Sequence, residues 1–283
     1  MTRDEVRGFA RGDESKVDGE NLERRLKFAR ETARQAGRMT LELFAAGNLT
    51  VDRKSDASPV TEADRRAEAY VCRRIAEEYP DDGWIGEEHG ERDGRSGYRW
   101  IIDPIDGTKS FICGVPLYST LIGLEREGES LLGVIELPAL NESVFARKGG
   151  GAWHVVGNGS PVRARVAATD QLAESIFVTS EVKTFQERHS AEGFQRLQRA
   201  CWITRTWGDA YGYYLVATGR ATVMVDPIMS VWDAAAILPI LEEAGGRFTD
   251  WSGRPTVHGG EGVGSNGRIH ETVLKLLNEN GQM

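Results

Sequence analysis

The alternation of apolar and polar positions predicts helices at the start of the chain. In residues 22–46 apolar side chains recur near the helical period, and Gly47 follows as a C-cap. A second helix is predicted over residues 61–79, with Thr61 as its N-cap and Pro80 ending it. The chain is therefore expected to open with two helices that pack on a common core.

Short apolar runs separated by turn signals predict a set of strands after the second helix. Turn-forming residues at 127–129 and 138–141 separate three of these runs, which favours an antiparallel meander. Pro104 is expected to stop the hydrogen-bond ladder of the second run. The predicted strands cover residues 84–86, 98–102, 117–124, 131–137 and 143–147.

The second half of the chain alternates strands and helices, which is typical of a layered α/β unit. The glycine-rich segment 259–264 lacks the strand–turn–helix context of a phosphate loop and is interpreted as a loop. The predicted strands are 176–179, 202–204, 221–225 and 247–250, and the predicted helices are 187–199, 209–218, 231–244 and 269–278. We divide the chain into a flexible leader at 1–21, an N-terminal α+β half at 22–157 and a C-terminal α/β half at 158–283.

Composition argues against several classes of function. The chain has 283 residues and a formal net charge of −8, so nothing favours binding to nucleic acid or to an anionic membrane surface. Three widely spaced cysteines argue against a disulfide framework and for a reducing compartment. The histidines form no zinc motif, and the polar first residues contain no signal-peptide core. We expect a cytoplasmic protein.

The most informative motif is Asp103-Pro-Ile105-Asp106-Gly107-Thr108, which follows a strongly apolar run. Two acids at the end of a buried strand repel one another and resist desolvation unless a cation lies between them. Asp103 and Asp106 can bridge a pair of magnesium ions, and the Ile105 carbonyl offers another hard oxygen ligand. Gly107 permits close backbone approach, so the N–H groups of Gly107 and Thr108 can hold phosphate oxygens. A plain turn would explain the Pro and Gly, but neither the second Asp nor the Thr.

The other acidic positions are weaker signals when each is taken alone. Glu87 and Glu88 follow a predicted strand end, although paired glutamates are usually solvated. Asp233 opens an apolar helix, where an acid would equally complement the helix dipole. Asp64 could likewise be an ordinary acid of a first helical turn, and the turn-rich segment before it brings Lys54 into its neighbourhood.

Together these motifs resemble those of the inositol monophosphatase superfamily. K-x-D…P-V-T-x-A-D, G-E-E, D-P-I-D-G-T and W-D-A-A-A-x-x-x-x-x-x-E-A-G-G occur in the order and spacing of that family, from about residue 22 to the last helix. The resemblance implies a five-layered α/β/α/β/α fold in which metal ligands converge where the two halves meet. It also suggests a homodimer.

The resemblance implies roles for individual residues. Asp64 and Thr108 would orient and deprotonate an attacking water, Lys54 would lie on a mobile loop that closes over the site, and Glu88 would assist Glu87. The implied metal ligands serve two Mg²⁺ ions and a weaker third: Glu87, Asp103 and the Ile105 carbonyl for the first, Asp103, Asp106 and Asp233 for the second, and Glu87 for the third.

A second stretch bears on the substrate. The run Arg205-Thr-Trp207-Gly-Asp209-Ala-Tyr211-Gly-Tyr213 is similar to the histidinol-phosphate phosphatases of this superfamily. Histidinol phosphate carries an ammonium and an imidazole, which suit acids and aromatic faces. The residues expected in the substrate pocket are the acids Asp209 and Asp226, the aromatics Trp207 and Tyr211, and Arg205.

Parts of this stretch have plainer interpretations. The aromatic residues of this helix could belong to the core, which is the better explanation for Tyr214 and also for Tyr213. Asp226 lies where inositol phosphatases place a substrate-binding acid, so it marks the pocket without identifying the substrate.

The sequence thus predicts a Mg²⁺-dependent phosphomonoesterase with two to three ions per site and a small phosphorylated metabolite as substrate, most simply histidinol phosphate in histidine biosynthesis. The D-x-x-D-G-T order differs from the D-x-D of phosphatases that form a phosphoaspartyl intermediate, which favours an attacking water. Two alternatives stay open: a phosphatase for inositol 1-phosphate or another sugar phosphate, and a catalytically silent binding or scaffold protein on the same fold.

Overall fold

The structure, a computed structural model, describes residues 3–46, 51–53 and 59–279. Its helices are α1 Arg3–Ala46, α2 Glu62–Glu78, α3 Thr108–Ile112, α4 Val182–Glu187, α5 Ala191–Ala200, α6 Asp209–Ala217, α7 Val231–Ala234, α8 Ile237–Glu243 and α9 His270–Asn278. Its strands are β1 Val51–Arg53, β2 Pro59–Thr61, β3 Gly83–Gly86, β4 Gly90–Arg92, β5 Tyr98–Asp106, β6 Ser119–Arg126, β7 Glu129–Leu137, β8 Glu142–Arg147, β9 Gly151–Val156, β10 Val162–Arg163, β11 Ile176–Val178, β12 Ile203–Arg205, β13 Val223–Asp226, β14 Arg247–Thr249 and β15 Gly262–Ser265.

Two large sheets and three helical layers alternate through the molecule. The first sheet has eight strands in the order β10-β9-β8-β7-β6-β5-β3-β4, and the second has five in the order β12-β11-β13-β15-β14. Helices α1 and α2 cover the outer face of the first sheet, α6, α7 and α8 lie between the sheets, and α5 and α9 cover the outer face of the second. The predicted five-layered α/β/α/β/α arrangement is therefore confirmed.

The predicted antiparallel meander is also confirmed. Strands β5 to β9 pair antiparallel in chain order, while β3 joins β5 in parallel. The largest apolar cluster lies between the two sheets and includes Tyr213 and Tyr214, both of which are buried as expected for core aromatics. The acidic site lies at the edge of this central layer, where β5 and β13 end.

Strand β5 does not stop before Pro104, as the sequence predicted, but continues to Asp106. Asp103 pairs with Leu121 and Asp106 with Ser119, so the register shifts between the two acids. This shift leaves Pro104 inside a bulge, where its missing N–H breaks no ladder bond. The bulge turns the two carboxylates into the same cavity instead of onto opposite faces of the sheet.

Two predicted helices are each divided in two. The predicted helix 231–244 is α7 and α8, because Pro239 has no N–H to donate to the carbonyl of Ala235 one turn earlier. The predicted helix 187–199 is replaced by the end of α4 and by α5, since His189 adopts a left-handed φ of 56° between them.

The glycine-rich segment was predicted as a loop, but its end is the strand β15 between β13 and β14. A Cβ atom at Gly264 would lie 2.6 Å from Leu241 and 2.7 Å from the Tyr213 ring, so this strand needs glycine to pack against α8 and α6. Glycine here reflects close packing and not a turn.

Helix α1 begins at Arg3, well before the predicted start at residue 22. The mobility of the leader at 1–21 and the two-half division stay predictions. Over the described ranges, the structure contains no helix that is long and apolar enough to cross a bilayer. All three cysteines are free thiols.

Candidate active site

A cavity of about 480 Å³ opens at the edge of the central layer, and most of the predicted site residues line it. Its walls come from the end of β5, the start of α3, the end of β13 and the starts of α6 and α7. The predicted residues on its walls are Glu87, Asp103, Ile105, Asp106, Gly107, Thr108, Asp209, Asp226 and Asp233.

The β5 bulge fixes both aspartates of the central motif. The backbone N–H of Ile105 donates to Asp103 at 3.0 Å, which holds the carboxylate against its own turn. Asp106 accepts from the Ser119 hydroxyl at 3.0 Å and from the Ala210 N–H at 2.6 Å. The Ala210 bond ties the first sheet to the start of α6, so it fixes the distance across the cavity.

Asp233 caps its own helix and also reaches the two β5 acids. Its carboxylate accepts the N–H of Ser230 at 2.7 Å, in the first turn of α7. One carboxylate oxygen each from Asp103, Asp106 and Asp233 lies within 4.8 Å of the other two. The helix-capping and the site interpretations of Asp233 are therefore compatible.

These clustered carboxylates are strained electrostatically. Burial, followed by the charges of Glu87, Asp106 and Asp233, raises the pKa of Asp103 well above its usual range. Burial raises the pKa of Asp233 to about 7. Buried acids at this distance stay ionised only with a positive charge among them, and carboxylate oxygens are the ligands that Mg²⁺ and Ca²⁺ prefer. The donor set therefore fits a hard divalent cation.

Glu87 enters the cavity from the end of β3. Its N–H donates to the carbonyl of Ile102 on β5 at 3.3 Å, so it lies beside Asp103. Glu88 is not among the described residues that line the cavity. The fully buried Glu68, which was not predicted, accepts hydrogen bonds from the turn that follows Glu87. The available sequence signal was its place in the predicted helix 61–79, one helical turn after Asp64 and next to the apolar Ala67.

Asp64 and Thr108 lie on different elements. Asp64 is buried in the first turn of α2 and accepts from the N–H of Thr61 at 2.7 Å and its hydroxyl at 2.6 Å. Burial raises the pKa of Asp64 to about 6, although the bonds from Thr61 oppose the shift. The Thr108 hydroxyl donates to the carbonyl of Ile105 at 3.0 Å.

Position 107 requires glycine. Its φ is 85°, and a Cβ there would lie 3.0 Å from the Asp209 carboxylate and 3.2 Å from the Leu117 carbonyl. Thr108 opens α3 directly after it, as predicted. The turn can therefore bring its backbone close to whatever occupies the cavity.

Ser180, which was not predicted, contacts both acids predicted for the substrate pocket. Its hydroxyl accepts the N–H of Asp209 at 2.8 Å, and its own N–H donates to Asp226 at 3.2 Å. Burial raises the pKa of Asp209 to about 6, although the nearby charge of Lys109 opposes the shift.

The other predicted substrate residues lie away from this cavity. Trp207 is 40% exposed, Tyr211 packs beside Tyr214, and Arg205 is exposed on the edge strand β12. None of the three is among the described lining residues. Lys54 lies outside the described residues.

The mouth of the cavity carries an ion pair between Lys109 and Glu181, with an N···O distance of 2.5 Å. Lys109 is the one cation among the described lining residues, whereas the wall carries seven acids: Glu87, Asp103, Asp106, Glu181, Asp209, Asp226 and Asp233. Glu181 was not predicted. Three lining acids, Asp209, Asp226 and Glu181, thus remain beyond the four predicted as metal ligands.

Asp226→Asn is expected to flatten the pH dependence of stability of the metal-free protein. Burial raises the pKa of Asp226 to about 7, from an ordinary value of 3.8, so between these values the folded chain binds more protons than the unfolded chain. Stability therefore falls as pH rises through this window, and asparagine removes that contribution. In EDTA, the fall in Tm between about pH 4 and pH 7 should shrink by on the order of 10 °C, because raising the pKa from 3.8 to about 7 corresponds to roughly 4 kcal/mol. A variant with the wild-type pH dependence would contradict this assignment.

Comparison with known proteins finds relatives that match nearly the whole chain. The model of the inositol monophosphatase family matches residues 21–282. A histidinol-phosphatase of Chlorobaculum parvum is 48% identical over 253 residues, covering 89% of this chain and 96% of the relative. One of Mycobacterium tuberculosis is 38% identical over 253 residues, covering 89% and 97%.

A solved structure has the same fold. The extragenic suppressor protein SuhB of Bartonella henselae superposes with a TM-score of 0.82 at 28% identity, covering 90% of this chain and 98% of that one. The family match spans nearly the whole described fold, including every acid of the cavity. This chain therefore belongs to the inositol monophosphatase family and is a phosphoric monoester hydrolase.

Proposed function

We propose that this protein is a Mg²⁺-dependent phosphatase that hydrolyses L-histidinol phosphate to L-histidinol and phosphate, in histidine biosynthesis and in the cytoplasm. The observation that supports this choice is the excess of acids on the cavity wall beyond the proposed metal ligands. Asp209, Asp226 and Glu181 face one lysine, so the part of the cavity beyond the metal-binding acids favours a cationic leaving group. The names of the two histidinol-phosphatase relatives support the same choice.

The residues proposed to hold two to three Mg²⁺ ions are Glu87, Asp103, the Ile105 carbonyl, Asp106 and Asp233. Bound there, Mg²⁺ would supply a Lewis acid that offsets charge on the phosphoryl group and on the leaving oxygen. The carboxylate oxygens of Asp103, Asp106 and Asp233 are already held in place by hydrogen bonds, whose donors are Ile105, Ser119, Ala210 and Ser230.

Asp64 is proposed to accept a proton from the attacking water. With a pKa near 6 it is mainly ionised at neutral pH, yet close enough to that pH to act as a general base. The Thr108 hydroxyl is proposed to orient the water, and the N–H groups of Gly107 and Thr108 to hold phosphate oxygens. Attack then proceeds in line, opposite the histidinol oxygen.

The cavity is proposed to bind the cationic groups of the substrate through its acidic side chains. Asp209 and Asp226 would accept hydrogen bonds from the ammonium or imidazolium group. Ser180 contacts both residues, through the backbone N–H of Asp209 and the carboxylate of Asp226. Trp207, Tyr211 and Arg205, which lie outside the cavity wall, would contact substrate only at its outer end, and Lys54 would lie on the covering loop. These four roles, and the homodimer, stay predictions.

The substrate proposal is tested by kinetics with histidinol phosphate, inositol 1-phosphate, fructose 1,6-bisphosphate and adenosine 3′,5′-bisphosphate. We expect the highest kcat/KM for histidinol phosphate. In Asp209→Asn this value should fall about 10- to 100-fold, because a charged hydrogen bond is lost. Inositol 1-phosphate, which has no cation, serves as the matched control substrate and should change far less.

Two outcomes would overturn the proposal. A higher kcat/KM for inositol 1-phosphate or a sugar phosphate would assign the protein to that substrate. Absence of Mg²⁺-stimulated hydrolysis of all four compounds would favour the catalytically silent binding protein.

A further inference from the structure

Glu68 lies behind the cavity, on the buried face of α2, and faces the turn that follows Glu87. Its side chain is fully buried. One carboxylate oxygen accepts the N–H of Glu88 at 2.8 Å, and the other accepts the N–H of His89 at 2.7 Å. The His89 ring nitrogen Nδ1 lies 3.3 Å from the second oxygen. One carboxylate therefore holds two consecutive backbone amides directly after a cavity residue.

The backbone before Glu87 is shaped for this contact. A Cβ atom at Gly86 would collide with the Glu68 carboxylate, so glycine lets the carboxylate approach the strand end. On the other side, the N–H of Glu87 is bonded to Ile102 of β5 at 3.3 Å. Glu87 is thus held between β5, which carries Asp103, and the carboxylate of Glu68.

A buried carboxylate is costly unless it is fully hydrogen-bonded. A neutral amide in the same place could accept one of the two N–H groups but would present its own NH₂ to the other. The acid at position 68 is therefore suited to holding both amides at once, and with them the direction in which Glu87 leaves the strand.

From this geometry we infer that Glu68 is a positioning residue for metal binding, which acts through the Glu87 turn and does not touch the substrate. The inference rests on the proposed function only in taking Glu87 as a metal ligand. It does not depend on which phosphate ester is hydrolysed. Groups that orient metal ligands from behind typically change metal affinity by about 10- to 100-fold when they are replaced.

The test is Mg²⁺ binding to purified Glu68→Gln without substrate, by calorimetry and by the Mg²⁺-induced rise in Tm. We expect a dissociation constant weaker by roughly tenfold, with kcat at saturating Mg²⁺ largely kept. Asp250→Asn is the matched control, because Asp250 is also fully buried and accepts the N–H groups of Ser252 and Arg254 at 2.9 Å each, in the other half of the chain. The control should lower the Tm without changing Mg²⁺ affinity.

An unchanged Mg²⁺ dissociation constant in folded Glu68→Gln would overturn the inference and leave Glu68 a stabilising residue like Asp250. If Glu68→Gln does not fold, Gly86→Ala is measured in its place, since its methyl group displaces the same carboxylate. Unchanged Mg²⁺ affinity in folded Gly86→Ala would equally overturn it. A failure of the histidinol phosphate proposal would leave both binding results standing, so the two failures are distinguishable.

Discussion

Asp103→Asn is expected to lower kcat/KM for the phosphate ester on the order of 10³-fold while the protein stays folded. Asp103 lies where the charges of Glu87, Asp106 and Asp233 converge, and its carboxylate is proposed to serve two ions at once. Asparagine keeps the shape and one oxygen but removes the negative charge. Steady-state kinetics at saturating Mg²⁺, together with Mg²⁺ titration, measures the effect.

Stability should move in the opposite direction to activity. Because burial and neighbouring acids raise the pKa of Asp103, its ionised form destabilises the metal-free fold at neutral pH. Asp103→Asn should therefore raise the Tm in EDTA and abolish most of the rise that Mg²⁺ produces in the wild type. Retention of most activity, or an intact Mg²⁺ response, would contradict the metal-site assignment.

Asp82→Asn is the matched control for this experiment. Asp82 is also buried, but its carboxylate pairs with Arg25 and accepts from Ser96 at 2.7 Å and Trp100 at 2.9 Å, away from the cavity. Its loss leaves a buried cation without its partner, so this variant should lose about 3 kcal/mol of stability. Folded Asp82→Asn should keep its activity, which separates removal of a buried acid from removal of a ligand.

The acids of the site were predictable because their chemistry is local. Asp103 and Asp106 stand at the end of an apolar run, and their mutual repulsion shows in the sequence without any structure. The sequence could not show that a bulge carries β5 through Pro104, because that depends on pairing with β6. The bulge is what places the two carboxylates in one cavity.

Residues that contact the site from distant parts of the chain were not predicted. Ser180 contacts Asp209 and Asp226, which are far along the chain, and Glu181 meets Lys109 across the cavity mouth. Nothing in the neighbouring sequence marks either residue. In contrast, the break between α7 and α8 has a local signal in Pro239, which stands inside the continuous apolar pattern that favoured a single helix.

Asp64→Asn is expected to lower kcat by about 10²- to 10⁴-fold and to leave the Mg²⁺ dissociation constant unchanged. The reason is that Asp64 is proposed to take a proton from water and not to bind metal. Its pKa near 6 also predicts that wild-type activity falls as pH drops below this value, because a protonated carboxylate cannot act as a base. Bound Mg²⁺ would lower that pKa, so the acid limb should lie at or below about pH 6 and should be absent in the variant.

The helix cap that Asp64 forms requires its own control. Asp64 accepts from both the N–H and the hydroxyl of Thr61, so part of any effect could come from a weaker start of α2. Thr61→Val removes the hydroxyl from the same cap and keeps the carboxylate, and it should cost about 1 kcal/mol of stability with a far smaller loss of kcat. If Asp64→Asn instead weakened Mg²⁺ binding in proportion to its loss of kcat, Asp64 would be a metal ligand, and the proton would have to go elsewhere.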